Sequence, residues 1–307
     1  MIYRSFFILF LFYFYTYGYA AEKTHYSLTH DPLDVVIVTH PKDKVTLDYC
    51  IEGIRANCHQ VRRVIVVSSK KLTDKAEWFN ENQFPFNKTD IAHTITRGDK
   101  KKAEQFFHGK HRSPGWYFQQ LLKLYSPFVI PDISSNVLVI DADTIFMNPV
   151  EFLNHVNGGL FCFSREEAKP AYFAHAKRLV PHYKRIYPNV YSVCHHMLFQ
   201  KPILEDLFRT VEAYHRTEFW IAFCLSVDLT ANKGASEYEI YYNYALRHTD
   251  QVTLRELKWT NSEDLSQIPK FKKRGYHFVS FHTYLRQRVP FINFDGLEKN
   301  NLHLIPD

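Results

Sequence analysis

Three features of this chain predict an α/β fold with a mostly parallel central sheet flanked by helices. LDVVIV at residues 33–38 is an apolar run of strand length, and VRRVIVV at 61–67 is a second. Between them, residues 43–57 carry Val45, Leu47, Ile51 and Ile54 at helical spacing. Strand, helix and strand joined by short links are the mark of parallel neighbours, which need a crossover. Finally, VLVI at 137–140 is apolar without alternation, as in a strand buried on both faces in mid-sheet.

The remaining elements follow in order. Residues 91–95 are expected as the third strand. Pro114 suits the first turn of a helix that runs to about Tyr125 and is ended by Pro127 and Pro131. Beyond 140 the pattern is less regular: a strand at 159–163, a helix at 166–180, a strand-like stretch at 192–199, helices at 203–215 and 237–248, and a last strand at 276–281. With no internal repeat and no Gly/Ser linker, residues 33–288 read as one catalytic domain with two lobes. Residues 289–307 read as a tail.

Composition narrows the class. Of 307 residues, 46% are hydrophobic and 23% charged, which is ordinary for a globular enzyme. Ten glycines exclude a collagen-like or low-complexity chain. The net charge of +6 is mild for this length; it suits a diphosphate or an anionic membrane surface better than nucleic acid, for which a clustered basic face is expected. Lys100-Lys101-Lys102, with Lys110 to Arg112 nearby, is the densest basic stretch and reads as a solvated loop or one that meets phosphates.

Residues 6–19 are almost all apolar or aromatic and follow Arg4. They are short for a span, and Gly18-Tyr19-Ala20 offers small residues for signal cleavage after Ala20. A cleaved leader or an uncleaved anchor over 1–21 both place the remainder in a secretory or envelope setting. Five cysteines, Cys50, Cys58, Cys162, Cys194 and Cys224, show no zinc spacing and are too sparse for a disulfide scaffold. Asn87-Lys88-Thr89 is a lone glycosylation sequon.

The chemistry is expected at Asp141-Ala142-Asp143, directly after the VLVI strand. In parallel α/β sheets ligands bind beyond the carboxyl ends of the strands. Two carboxylates placed there repel one another unless a cation sits between them, and oxygen donors favour a hard divalent ion, Mg2+ or Mn2+. Such an ion neutralises a departing diphosphate.

NVLVIDADTIFMNP at 136–149 resembles the metal-binding segment of glycosyltransferases of the GT-A, Rossmann-like type. PGWYFQQLLKLY at 114–125, HHMLF at 195–199 and SEYEIYYNY at 236–244 resemble, in the same order, segments of a bacterial-type family of nucleotide-sugar transferases. The resemblance spans about 33–288. It implies a nucleotide-diphosphate sugar as donor, a glycan, lipid or protein hydroxyl as acceptor, and a C-terminal acceptor lobe. By the same resemblance Thr39, His40 and Asp43 lie near the base or ribose, Arg97 near the ribose or diphosphate, and Asp141 and Asp143 hold the metal and touch the ribose. His282 is implied as third ligand; His277, five residues earlier, is the competitor.

Other residues are read from their positions. Gln119 and Gln120 need partners if buried, and one can bind ligand and the other backbone. Lys123 shares a helix face with Gln119 and can reach a phosphate. His195 and His196 alternate on a strand, and His196 is the choice for the acceptor side. Glu237, behind the good N-cap Ser236, is the candidate acceptor-binding carboxylate or base. Arg286 and Arg288 follow His282 and suit the leaving diphosphate. Two other classes remain: an aspartate-nucleophile phosphatase, against which Thr144 stands one place early, and an exported nucleotide- or glycan-binding protein with a degenerate site.

Overall fold

The structure is a computed structural model and describes residues 23–108, 114–166 and 169–286. The leader, Lys110 to Arg112, Arg288 and the tail lie outside the described residues. Among the described residues no helix is long and apolar enough to cross a membrane.

The predicted sheet is present. Strands β1 (Leu33–Val38) and β2 (Val61–Ser68) flank helix α1 (Lys44–Asn57), and β3 (Glu77–Asn80) follows. Helices α2 (Lys88–Ile95), α3 (Lys100–His108) and α4 (Gly115–Val129) then lead to β4 (Asn136–Ile140), β5 (Thr144–Phe146) and β6 (Leu160–Cys162). The second half is α5 (Pro170–Leu179), β7 (His196–Gln200), α6 (Lys201–His215), α7 (Phe219–Leu225), α8 (Glu237–His248), β8 (Thr253–Arg255), β9 (Trp259–Asn261), α9 (Ile268–Lys273), β10 (Phe278–Ser280) and α10 (Thr283–Arg286).

The main sheet has the order β3-β2-β1-β4-β7. Its first four strands are parallel and β7 runs antiparallel to β4. Alternate residues of β1 serve two cores: Val36 and Val38 join one cluster with α4 and α8, while Val35 and Ile37 join another with α1. Burial on both faces is the reason these strands lack alternation. Asp34 is the exception within the LDVVIV run. It is fully buried, and Arg62 grips it through two hydrogen bonds of 3.0 and 2.6 Å.

Four expectations are corrected. Residues 91–95 are helical, in α2; Asn87 caps this helix in a box with Asp90, and the third strand is β3 instead. Helix α4 passes through Pro127 and stops at Val129, where Ile130 takes the extended conformation favoured before a proline. Helix α5 starts four residues later than predicted, with Pro170 in its first turn. The strand expected at 192–199 begins only at His196, because His195 adopts a left-handed φ of 63°. All five cysteines are free and buried.

A small second sheet, β5-β10-β9, covers the carboxyl end of α1. Its approach depends on Gly53: a Cβ there would lie 2.7 Å from the Phe146 carbonyl oxygen and 3.0 Å from the Phe146 nitrogen. Asn57 Nδ2 reinforces the contact by donating to the same oxygen at 2.9 Å. Gly53→Ala is expected to force α1 and β5 apart at a cost of about 1–3 kcal/mol, the usual range for overpacking. The check is a lowered urea midpoint with an unchanged m-value.

Candidate active site

Two antiparallel pairings build the site. β4 and β7 pair with Ile140 opposite His196, so Asp141, one residue past β4, faces His195, one residue before β7. The Asp141 amide donates to the His195 carbonyl at 2.9 Å, and His195 Nδ1 lies 3.5 Å from Asp141 Oδ2. In the small sheet Thr144 pairs with Ser280. Their hydroxyls meet at 2.8 Å, and the Phe281 amide donates to the Asp143 carbonyl at 2.8 Å. That brings His282 Nδ1 to 3.4 Å from Asp143 Oδ2. The His195 and His282 ring centres are 4.9 Å apart, so the Asp141–His195 and Asp143–His282 pairs lie side by side at the carboxyl end of the sheet. Both aspartates keep some access to solvent, with 25% and 15% of their side chains exposed.

Behind this group lies a buried cation. Lys123 Nζ donates to Asp141 Oδ1 at 2.5 Å, to Glu237 Oε1 at 2.6 Å and to the Tyr238 hydroxyl at 3.1 Å. Tyr238 in turn donates to Asp141 Oδ1 at 3.2 Å. Burial opposes the charge on Lys123, but the two carboxylates outweigh it and hold its pKa well above the ordinary lysine value. Burial would likewise raise Asp141, yet Lys123 and His195 hold its carboxyl well below the usual range. For Glu237 burial prevails over Lys123, and its carboxyl is raised.

At the end of β1, the strand next to β4, a cavity of about 360 Å³ opens; Asp141, Asp143, His195 and His282 are not in its lining. Thr39, His40 and Asp43 line it, with Trp116 and Gln119 from α4 opposite. Gln120 turns the other way and accepts from the Glu237 amide at 3.1 Å.

Placement therefore separates the predicted residues. Thr39, His40, Asp43 and Gln119 share the cavity, and Asp141, Asp143 and His282 share the acid–imidazole group. His277 sits at the far end of β10, where it accepts from the Lys258 amide. Arg97 does not line the cavity; it follows a helix, not a strand, and is exposed on a left-handed turn. Lys123 is not free for a phosphate, being the counter-ion of two acids. Glu237 is 2% exposed and committed to Lys123, so it does not face an acceptor. His196 is corrected too: its ring lies edge-on to Phe146, Phe152 and Phe278 at 5.5, 5.7 and 5.1 Å, inside the core. The histidine that turns to the aspartates is His195. Sequence reasoning missed His195 and Tyr238; the strand start at 196 sets the former, and one helical step past Glu237 sets the latter.

The donor set suits a hard divalent ion in kind, with two carboxylates and an imidazole. One Asp141 oxygen is already held by Lys123, and among the described residues no three acid, imidazole or thiol groups converge as a ready-made ligand cluster.

Two outcomes follow. Lys123→Met leaves the buried Glu237 carboxylate and the partly exposed Asp141 without their cation and is expected to cost about 3–5 kcal/mol. In the wild type the depressed Asp141 carboxyl contributes stability that is complete above about pH 4 and lost as the pH falls through and below that value. The variant should lose less over the same interval, which urea midpoints at pH 7, 5 and 3 will show. Burial pushes His196 down to about 3 and His175 down to about 4. The unfolded chain protonates both near 6.5, so stability present above that pH falls as the pH drops toward 4. His196→Leu should flatten the fall while leaving the fold at pH 7 intact, measured the same way.

Among solved structures, three similar ones are glycosyltransferases by their descriptions. The mannosyltransferase Ktr4p from S. cerevisiae has 9% identity over 75% of this chain and 72% of its own, with a TM-score of 0.45. The bifunctional glycosyltransferase WbbM has 13% identity over 82% of this chain, with a TM-score of 0.43; this chain spans 46% of it, about half its length. Mouse xyloside xylosyltransferase 1 has 12% identity over 83% of this chain and 98% of its own, with a TM-score of 0.36. No curated protein matches the sequence. A family model matches residues 51–270, and the chain belongs to that family, described as a family of unknown function, DUF6492.

Proposed function

We propose that this protein is a metal-dependent glycosyltransferase that moves a sugar from a nucleotide-diphosphate donor to a hydroxyl on a glycan, lipid or protein. The observation that carries the reading is the pair of contacts Asp141–His195 and Asp143–His282 past the carboxyl end of β4, next to the strand β1 whose own carboxyl end opens on a cavity. That is where a parallel sheet binds its ligand.

In this reading the nucleoside occupies the cavity, with Thr39, His40 and Asp43 toward base and ribose and Gln119 on the opposite wall. Asp141, Asp143 and His282 would hold Mn2+ or Mg2+, which when bound supplies positive charge against the departing diphosphate. Lys123 keeps Asp141 ionised and fixed in direction through a 2.5 Å hydrogen bond, so the carboxylate is ordered before any ligand arrives. Tyr238 adds a second hydrogen bond to the same oxygen. The acceptor would enter from the second lobe, past the exposed edge of Asp143. With Glu237 tied to Lys123, no acceptor base is assigned to it. The leader would place the domain at or across a membrane, in a secretory or envelope compartment.

The test is calorimetric titration of nucleotide-sugars into the full chain in mild detergent, with Mn2+ and with chelator. One donor class should bind in Mn2+. Chelator or Asp143→Ala should weaken it by at least about tenfold, the usual loss at a disturbed metal site. Binding of a donor with no turnover, neither transfer nor donor hydrolysis, would favour the degenerate binding protein. Failure of every donor to bind a folded chain would sink both.

A further inference from the structure

The cavity carries two lysines that the reading above leaves unused, and they come from different lobes. Lys42 lies on the short turn Pro41–Asp43 that follows β1. Lys233 lies on the loop between α7 and α8. A third lysine, Lys88, is compensated: its Nζ is 3.6 Å from Glu81 and 5.1 Å from the centre of the Phe118 ring. Asp43 and Glu81 are the acids of the cavity.

Lys233 is held in place by its surroundings. Its backbone has a left-handed φ of 50°, a conformation that side-chain-bearing residues rarely adopt and that tends to mark functional loops. Its Nζ lies 5.4 Å from the centre of the Trp116 ring. Trp116 stacks on Tyr172 and donates its Nε1–H to the Ala235 carbonyl at 2.9 Å, which pins the loop two residues further on. The Gly234 amide donates to the Tyr117 hydroxyl at 3.2 Å. The loop is thus fastened on the C-terminal side of Lys233, with the ammonium turned over the cavity wall. Burial, and then the charges of Lys169 and Lys42, hold its pKa below the ordinary lysine value. Like charges brought to one concave site repel until an anion joins them.

We propose that Lys42 and Lys233 form a phosphate clamp that grips the diphosphate of the donor from both lobes. The clamp acts separately from the metal at the aspartates. In this form it rests on the nucleotide reading. A lysine ammonium binds phosphate as a point charge and needs no fixed fork geometry, which suits two lysines brought to one cavity from separate segments. The clamp makes the diphosphate the main source of affinity, and it makes that affinity sensitive to salt.

The test uses the full chain in chelator and compares a nucleoside, its diphosphate and inorganic pyrophosphate by calorimetry at two salt concentrations. In the wild type the diphosphate should bind at least about tenfold more tightly than the nucleoside, as expected for charge-assisted hydrogen bonds. High salt should remove most of that advantage. Lys233→Gln and Lys42→Gln should each remove about tenfold of it and leave nucleoside affinity unchanged, while Lys233→Arg should restore it. Lys233 is exposed, so these variants are expected to fold. Diphosphate binding unchanged in Lys233→Gln overturns the clamp and leaves the transferase reading standing. Pyrophosphate binding that Lys233→Gln abolishes, with no nucleoside or nucleotide bound, supports the clamp and removes the nucleotide reading.

Discussion

The site depends on one buried ammonium. Lys123 sits in the middle of α4 and joins the end of β4, through Asp141, to the start of α8, through Glu237. Three elements far apart in sequence are thereby fixed by one cation. Two acids against one cation leave a net negative charge in a dry place. The remainder is spread over the Tyr238 hydroxyl and over the first turn of α8, where the helix dipole favours an acidic side chain. The excess charge is tolerated because both acids share the lysine and Asp141 also has the Tyr238 hydroxyl and His195.

Asp143 lacks that support from Lys123. Its partner is His282, delivered by the small sheet, and both retain some access to solvent. The DxD turn thus has two unlike halves: Asp141 is anchored inward by Lys123, and Asp143 is placed at the rim by β5 and β10. The chain turns at Ala142, with the Thr144 amide donating to the Asp141 carbonyl at 3.0 Å, so the two aspartates need not share one environment.

Much of this was legible in the chain. LDVVIV and VRRVIVV read as parallel neighbours because a helix with short links joins them, VLVI reads as a buried strand because it lacks alternation, and the Asp141-Ala142-Asp143 turn follows from its place after VLVI. Of the two later histidines, His282 lies 3.4 Å from Asp143 and His277 lies at the other end of β10, against the Lys258 amide. Other readings failed for local reasons. Residues 91–95 are β-branched and apolar enough for a strand, but the Asn87–Asp90 capping box starts a helix just before them. His195 and His196 were told apart by counting along a strand, and one left-handed residue moved the strand's start. Glu237 looked like an acceptor group because nothing in sequence shows that Lys123, 114 residues away, points at it. Pairings of that range are set by packing and not by spacing.

The pairing of β5 with β10 has a consequence for how the protein is made. Thr144 and Ser280 are 136 residues apart, yet their contact delivers His282 to Asp143. Closing so long a loop is slow compared with forming the local β1-α1-β2 unit. During synthesis the β1-α1-β2 unit leaves the ribosome well before the strand that completes the site. A chain stopped before residue 278 lacks β10 and the imidazole at Asp143. Competence for the full acid–imidazole group is therefore acquired only once the chain past His282 has been made.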